Sequence, residues 1–99
     1  MSVRNVLSFH EKMLTDRLLC ARIDSECRDQ EPDAADATVS EIAEESGFEF
    51  SASHAREFRE EYLKNADQRV KNTCDSYGNF WNGIAWYIAM AKELERRRS

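Results

Sequence analysis

The sequence predicts an all-α protein, a small bundle of four to five helices that includes a short helix–Gly turn–helix element. Three observations carry this. With only three Gly and one Pro in 99 residues, the chain lacks the turn residues that strand-rich folds need. Its apolar residues recur at i, i+3, i+4 and i+7 rather than alternately. The stretch Thr38–Ser51, TVSEIAEESGFEFS, packs a helix start, a helix stop and the next start into a few residues.

Taken in order, Ser2 is placed to cap a first helix whose apolar stripe is Val3, Val6, Leu7, His10, Met13 and Leu14, broadened by Phe9. Thr15 or Asp16 caps a second helix carrying Leu18, Leu19, Ala21, Ile23 and Cys27. That helix must end before Pro32, because the residue ahead of a proline avoids helical geometry. Gln30–Ala37, polar and acidic, reads as a linker. Thr38 and Glu41 have capping-box spacing for a short third helix, Val39–Ser46. Gly47 then stands where a left-handed residue ends it. Phe48 and Phe50 follow in an extended segment, expected to pin the third helix against the fourth, and Ser51 caps what comes next.

The fourth helix is expected from Ala52 to about Thr73, with Ala55, Phe58, Tyr62, Leu63, Ala66 and Val70 on one face. CDSYGN, Cys74–Asn79, reads as a turn with Gly78 and Asn79 at positive φ. The last helix, Phe80 to about Arg97, has an apolar stripe of Phe80, Ile84, Tyr87, Ile88, Ala91 and Leu94. Its closing arginines complement the helix dipole. The length fits a single helical domain over 1–99.

Charge is unevenly spread. The net charge is −5, but Asp24–Glu49 holds ten acidic residues and one basic one, a balance of −9, against +4 elsewhere. An acidic middle repels phosphate and disfavours nucleic acid. Cys20, Cys27 and Cys74 fit no metal or redox spacing, and free thiols suit a reducing compartment. No apolar run is long enough to span a membrane, so a cytoplasmic location is expected.

The chain supplies no catalytic, cofactor-binding or metal-binding constellation. His54 and Glu57 form a lone H-x-x-E, without the paired Glu-x-x-His of di-iron bundles. Glu41, Glu44 and Glu45 lie on a polar helix, where a solvated face is the plainer reading than an acid–base pair. Gly47, Gly78 and Gly83 are isolated and form no phosphate loop. The turn at Gly47 also matches a helix-turn-helix reader of DNA, but the acidic balance opposes that. The surplus lies in the aromatics. Tyr77, Phe80, Trp81, Trp86 and Tyr87 crowd the start of the last helix and cannot all point one way. Trp81 and Trp86 fall on the flanks of its apolar stripe. Exposed aromatics mark protein interfaces, so these five are the candidate partner-binding residues.

Two blocks carry a family resemblance. Ser2, Val6, Phe9, Lys12, Asp16 and Leu19 follow S-x-x-x-V-x-x-F-x-x-K-x-x-x-D-x-x-L. Ile42, Ala43, Gly47, Phe48, Phe50 and Ser51 follow I-A-x-x-x-G-F-x-F-[ST]. Together, over about 2–60, they resemble the nitrogen-fixation-protein-eleven, or Nif11-like, leader family, leaving 61–99 as a C-terminal helical extension.

The family resemblance implies one of two roles. Many members are leaders of ribosomally made peptides, docking handles for modifying enzymes that end in a Gly-Gly cleavage site. Others are small proteins encoded among nitrogen-fixation genes. This chain has no Gly-Gly and continues after Ser51 through long helical segments, which resembles the second branch. The implied function is a non-catalytic accessory protein that binds a nitrogenase component or its maturation machinery. The alternative is a leader-like docking module for peptide-modifying enzymes. Neither role calls for a nucleic-acid or membrane partner.

Overall fold

The computed structural model describes the backbone of residues 2–98 and the side chains of residues 4–98. The expected Ser2 cap and the Val3 side chain lie outside the described side chains. Six helices and no strand form among the described residues: α1 (Ser2–Thr15), α2 (Arg17–Cys27), α3 (Pro32–Glu45), α4 (Ala52–Asn65), α5 (Gln68–Ser76) and α6 (Phe80–Arg98). The all-α class is as expected. The sixth helix arises because the predicted 52–73 helix is two.

The break in that helix is local chemistry. Ala66 turns extended at ψ 151, and the Asp67 carboxylate accepts from the Val70 amide at 3.1 Å. An aspartate that satisfies a free amide restarts a helix more readily than it continues one. The apolar spacing runs unbroken from Tyr62 through Ala66 to Val70, so periodicity conceals the restart.

The third helix is longer than predicted, and the reason is its proline. Pro32 is the first helical residue of α3, where a missing N–H costs nothing and the fixed φ suits a helix. The expected linker is therefore mostly helix. Thr38 is no cap: its hydroxyl donates to Gln30 Oε1 at 2.7 Å and lies 3.2 Å from the Ala34 carbonyl one turn back.

The far end of α3 forms as the sequence predicts. Gly47 takes φ +92, the Gly47 amide donates to Glu44 O at 3.1 Å, and the Phe48 amide donates to Ala43 O at 2.8 Å. This is the Schellman pattern, which satisfies the last carbonyls of the helix. Phe48 and Phe50 point the same way from the extended segment. Both rings, however, meet Phe9 of α1, at 5.8 and 5.9 Å between centroids, so they pin the turn to α1. Asn5 Nδ2 adds a bond to Glu49 O at 2.7 Å.

Asp16 and Ser51 cap α2 and α4 as predicted, accepting from the Leu19 and His54 amides. Asn79, expected at positive φ, instead caps α6: its Oδ1 accepts from the Asn82 amide at 3.0 Å, and among the described residues only Gly47 and Gly78 have positive φ. The core gathers Val6, Phe9 and Met13 of α1, Leu19 and Ile23 of α2, Val39 and Ile42 of α3, and Phe80, Trp81, Ile84 and Ile88 of α6. Each such side chain, buried, contributes about 1.5–3 kcal/mol. α6 packs most extensively on α2 and α5, and α3 on α4.

Candidate protein-binding face

The geometry of α6 decides which aromatics remain available. Its first six residues, Phe80 to Ala85, are all buried, so the helix enters the core end-on. Two asparagines fasten that end to α2. Asn79 Nδ2 and Asn82 Nδ2 donate to the Cys27 carbonyl at 2.8 and 2.9 Å, and Asn79 Nδ2 also reaches Gln30 O at 3.1 Å. The terminal carbonyl of α2, which has no intrahelical partner, is thereby satisfied. Gly83 allows α5 to cross closely: a Cβ there would lie 2.2 Å from the Cys74 Cα.

A buried carboxylate sets the rotation of α6. Asp36 of α3 is almost wholly buried, and Trp81 Nε1 donates to its Oδ1 at 2.7 Å. Arg59 of α4 grips the same carboxylate with both edges, Nε to Oδ1 at 3.2 Å and Nη2 to Oδ2 at 2.9 Å. A buried charge persists only when paired and hydrogen-bonded in this way. Three helices thus meet at one side chain. Reading the sequence as a linker there missed it. The available signal was an aspartate sharing the helical face of Val39 and Ala43.

Of the five candidate contact residues, Phe80 and Trp81 are consequently core. Trp81 is 0% exposed and stacks on Phe58 at 6.3 Å, which removes it from any surface. Its place on a helix flank was expected to leave it partly open, and the Asp36 bond is what draws it in. Tyr87 is half-buried against the core. Trp86 is 43% exposed, with the Tyr77 ring 5.8 Å away.

Other residues join Trp86 that the sequence did not single out. Leu94, placed on the apolar stripe of the last helix, is 51% exposed, and Leu18 of α2 is 84% exposed. Between α2 and α6 runs a groove of about 320 Å3, floored by Ala21, Ala85 and Ala89 and walled by Trp86. Arg17 and Lys92 stand at its edge beside Glu93 and Asp24. Glu93 pairs with Arg17 at 3.8 Å and with Arg96 and Arg97, while Asp24 is held by Arg28 at 2.7 Å.

The thiols and His54 are engaged elsewhere in the fold. Burial pushes the Cys27 thiol up to about 12 and the Cys74 thiol to about 11, and raises Cys20 as well. A nucleophilic cysteine needs the opposite shift. Cys20 Sγ donates to the Met13 carbonyl at 2.9 Å. His54 Nδ1 sits 2.6 Å from the Ser51 hydroxyl at the α4 cap. No group of three or more His, Cys, Asp or Glu positioned for a metal ion occurs among the described residues, and none of the helices is long and apolar enough to cross a membrane.

Much of the acidic middle is engaged internally. Arg22 pairs with Glu26 at 2.6 Å and with Glu45 at 2.8 Å, tying α2 to α3, and Arg59 takes Asp33 along with Asp36. No family model matches the chain, and neither does any curated protein or solved structure.

Proposed function

We propose that this protein is a non-catalytic accessory factor of nitrogen fixation, acting in the cytoplasm by binding a nitrogenase component or its maturation machinery. The association with nitrogen fixation rests on the Nif11-like resemblance of the two N-terminal blocks. The binding role rests on one observation above all: a large aromatic, Trp86, stands open at the edge of an apolar groove. A tryptophan left in water beside an apolar trough fits the profile of an interface anchor. Phe80 and Trp81 belong to the scaffold that presents it, Tyr77 packs beside it, and Tyr87 turns instead toward Tyr62 and Val70 of α4 and α5. The inert thiols agree with a role that needs no chemistry of its own.

Affinity capture from nitrogen-fixing cells tests the reading, with Ala89→Arg as the control bait. Ala89 is an exposed floor residue, so an arginine there fills the groove without disturbing the core. Recovery of nitrogenase-related proteins by the natural chain and not by the variant is the expected result. Capture of no such protein under fixing conditions sinks the nitrogen-fixation role.

A further inference from the structure

Five large apolar side chains stand exposed among the described residues, Leu7 and Leu14 on α1, Leu18 on α2, and Trp86 and Leu94 on α6, and the last two line one trough through the shared Ala89 and Glu93. Its alanine floor is narrow and long, running with the α6 axis from Ala85 through Ala89 toward Leu94. Small residues on a floor between two helices leave room for the side-chain ridge of a third. The charge around it is polarised. Arg17, Lys92, Arg96 and Arg97 surround the α6 end, and Glu93 is shared among three of them. A chain of net charge −5 therefore presents a trough whose rim is mixed between α2 and α6, with Asp24 and Glu93 beside Arg17 and Lys92, and net basic at the C-terminal end of α6, where Arg17, Lys92 and Arg96 outnumber Glu95.

We infer that the α2–α6 groove seats an amphipathic helix of the partner protein, with bulky aliphatic residues at i, i+3 and i+4 on the alanine floor and carboxylates facing Arg17, Arg96 and Arg97. This rests on the reading above that the Trp86 face binds a protein, and it names the element that binds. A second copy of the chain fits worse, because pairing two such faces sets arginine against arginine. An anionic bilayer matches the charge of the α6 end but not the shape: a flat surface reaches Trp86 and Leu94 at the edge and leaves Ala85 at the bottom uncovered. Helix-in-groove recognition uses this combination of apolar anchors and flanking charge.

The test is selection from a displayed library of short amphipathic helices, their apolar stripe fixed as leucine and their flanking positions randomised among Glu, Gln and Lys. The full chain is the bait. Glu-flanked helices are expected to be enriched, to lose about tenfold or more in affinity against Trp86→Ala or Ala89→Arg, and to weaken as salt rises. An Arg17→Glu/Arg96→Glu/Arg97→Glu bait should invert the preference toward Lys. Circular dichroism of each variant confirms that the fold is retained.

Enrichment of Lys- or Gln-flanked helices by the natural chain overturns the inference. So does binding indifferent to Ala89→Arg, selection of no helix at all, or co-sedimentation with phosphatidylglycerol vesicles in place of peptide binding. The cellular capture separates the two levels. If capture still depends on Ala89 while no helix is selected, the groove binds protein through another element and only this inference falls. If capture is also indifferent to Ala89, the binding face itself is misassigned.

Discussion

Substituting Gly83 by alanine should destabilise the protein severely, against the usual trend for a glycine inside a helix. Gly83 lies in the first turn of α6, and alanine ordinarily stabilises an exposed helical position by about 0.5–1 kcal/mol relative to glycine. Here a Cβ would stand 2.2 Å from the Cys74 Cα and 2.8 Å from the Cys74 nitrogen. Carbon atoms pack at about 3.5–4.0 Å, so α5 and α6 must part by more than an ångström. The obstacle is backbone, and no rotamer change relieves it. Overpacking a core costs about 1–3 kcal/mol, and a backbone clash belongs at or above the top of that range. Less the propensity gain, the net loss is about 2 kcal/mol or more, a fall in Tm of roughly 8–16 °C for a chain of this size. Thermal and urea unfolding followed by circular dichroism measure it. Cys74→Gly should not rescue the variant, since it removes the Cβ at 3.0 Å and leaves the closer Cα. A Gly83→Ala protein melting within a degree or two of the natural chain, or a rescued double variant, would refute the close crossing.

Other perturbations separate the remaining supports. Asp36→Ala leaves the partly buried Arg59 with only the exposed Asp33 at 3.7 Å and strips the buried Trp81 Nε1 of its acceptor, and should cost about 3 kcal/mol or more in urea unfolding, whereas Trp81→Phe, which removes one donor, should cost about 1–3 kcal/mol. Equal and small losses in both would mean that the shared carboxylate does not anchor α6. Gly47→Val forces a β-branched residue to φ +92 and should lose about 1–2 kcal/mol or more, although the space around Gly47 is open; an unchanged Tm contradicts that turn. His10 is a pH probe. Burial lowers its pKa from 6.5, with Glu11 opposing in part, and its ring packs on Phe58 and Tyr62. The unfolded chain takes up that proton first, so stability is full above about pH 6.5 and falls as pH drops through it. Replacing His10 by Phe should therefore raise Tm more at about pH 5.5 than at about pH 7.5 (one unit either side of the reference value), and an equal change at both pH values contradicts a buried neutral imidazole.

What could be read from the sequence was what local chemistry decides. The Gly47 stop was legible because it depends on one residue's conformational freedom and on carbonyls within one turn. The Asp16 and Ser51 caps were legible for the same reason. Pro32 was misread because a proline signals both an ended helix and a begun one, and only the path after Gln30 distinguishes them. Trp81 and Trp86 stand five residues apart on one helix, and nothing local separates them. The distinction comes from Asp36, 45 positions away from Trp81, whose carboxylate draws one indole inward and leaves the other in solvent. Leu7, Leu14 and Leu94 were placed on apolar stripes by periodicity and stand exposed, because periodicity identifies an apolar face and does not say what covers it.

That last point bears on the second half of α6. Ile88 is the last buried residue of a helix that continues to Arg98. Beyond it, Met90 and Ala91 are half-buried and Leu94 is open, so the C-terminal turns gain little from the core. Helices draw most of their stability from tertiary packing, and one lacking it is marginal beyond what side-chain pairs supply. Glu93 with Arg96 and Arg97 supplies such pairs, each about 0.2–0.5 kcal/mol. Amide hydrogen exchange should therefore divide α6 in two. The amides of Ile84 to Ile88 should exchange only on global unfolding, and those after Ala91 by local opening at far lower free energy. A helix seated on Trp86, Ala89 and Leu94 would bury the exposed stripe and slow exchange in the second group alone. Uniform protection along α6 in the free protein would show that the C-terminal turns are held within the chain, and would remove the physical reason for the stripe to need a partner.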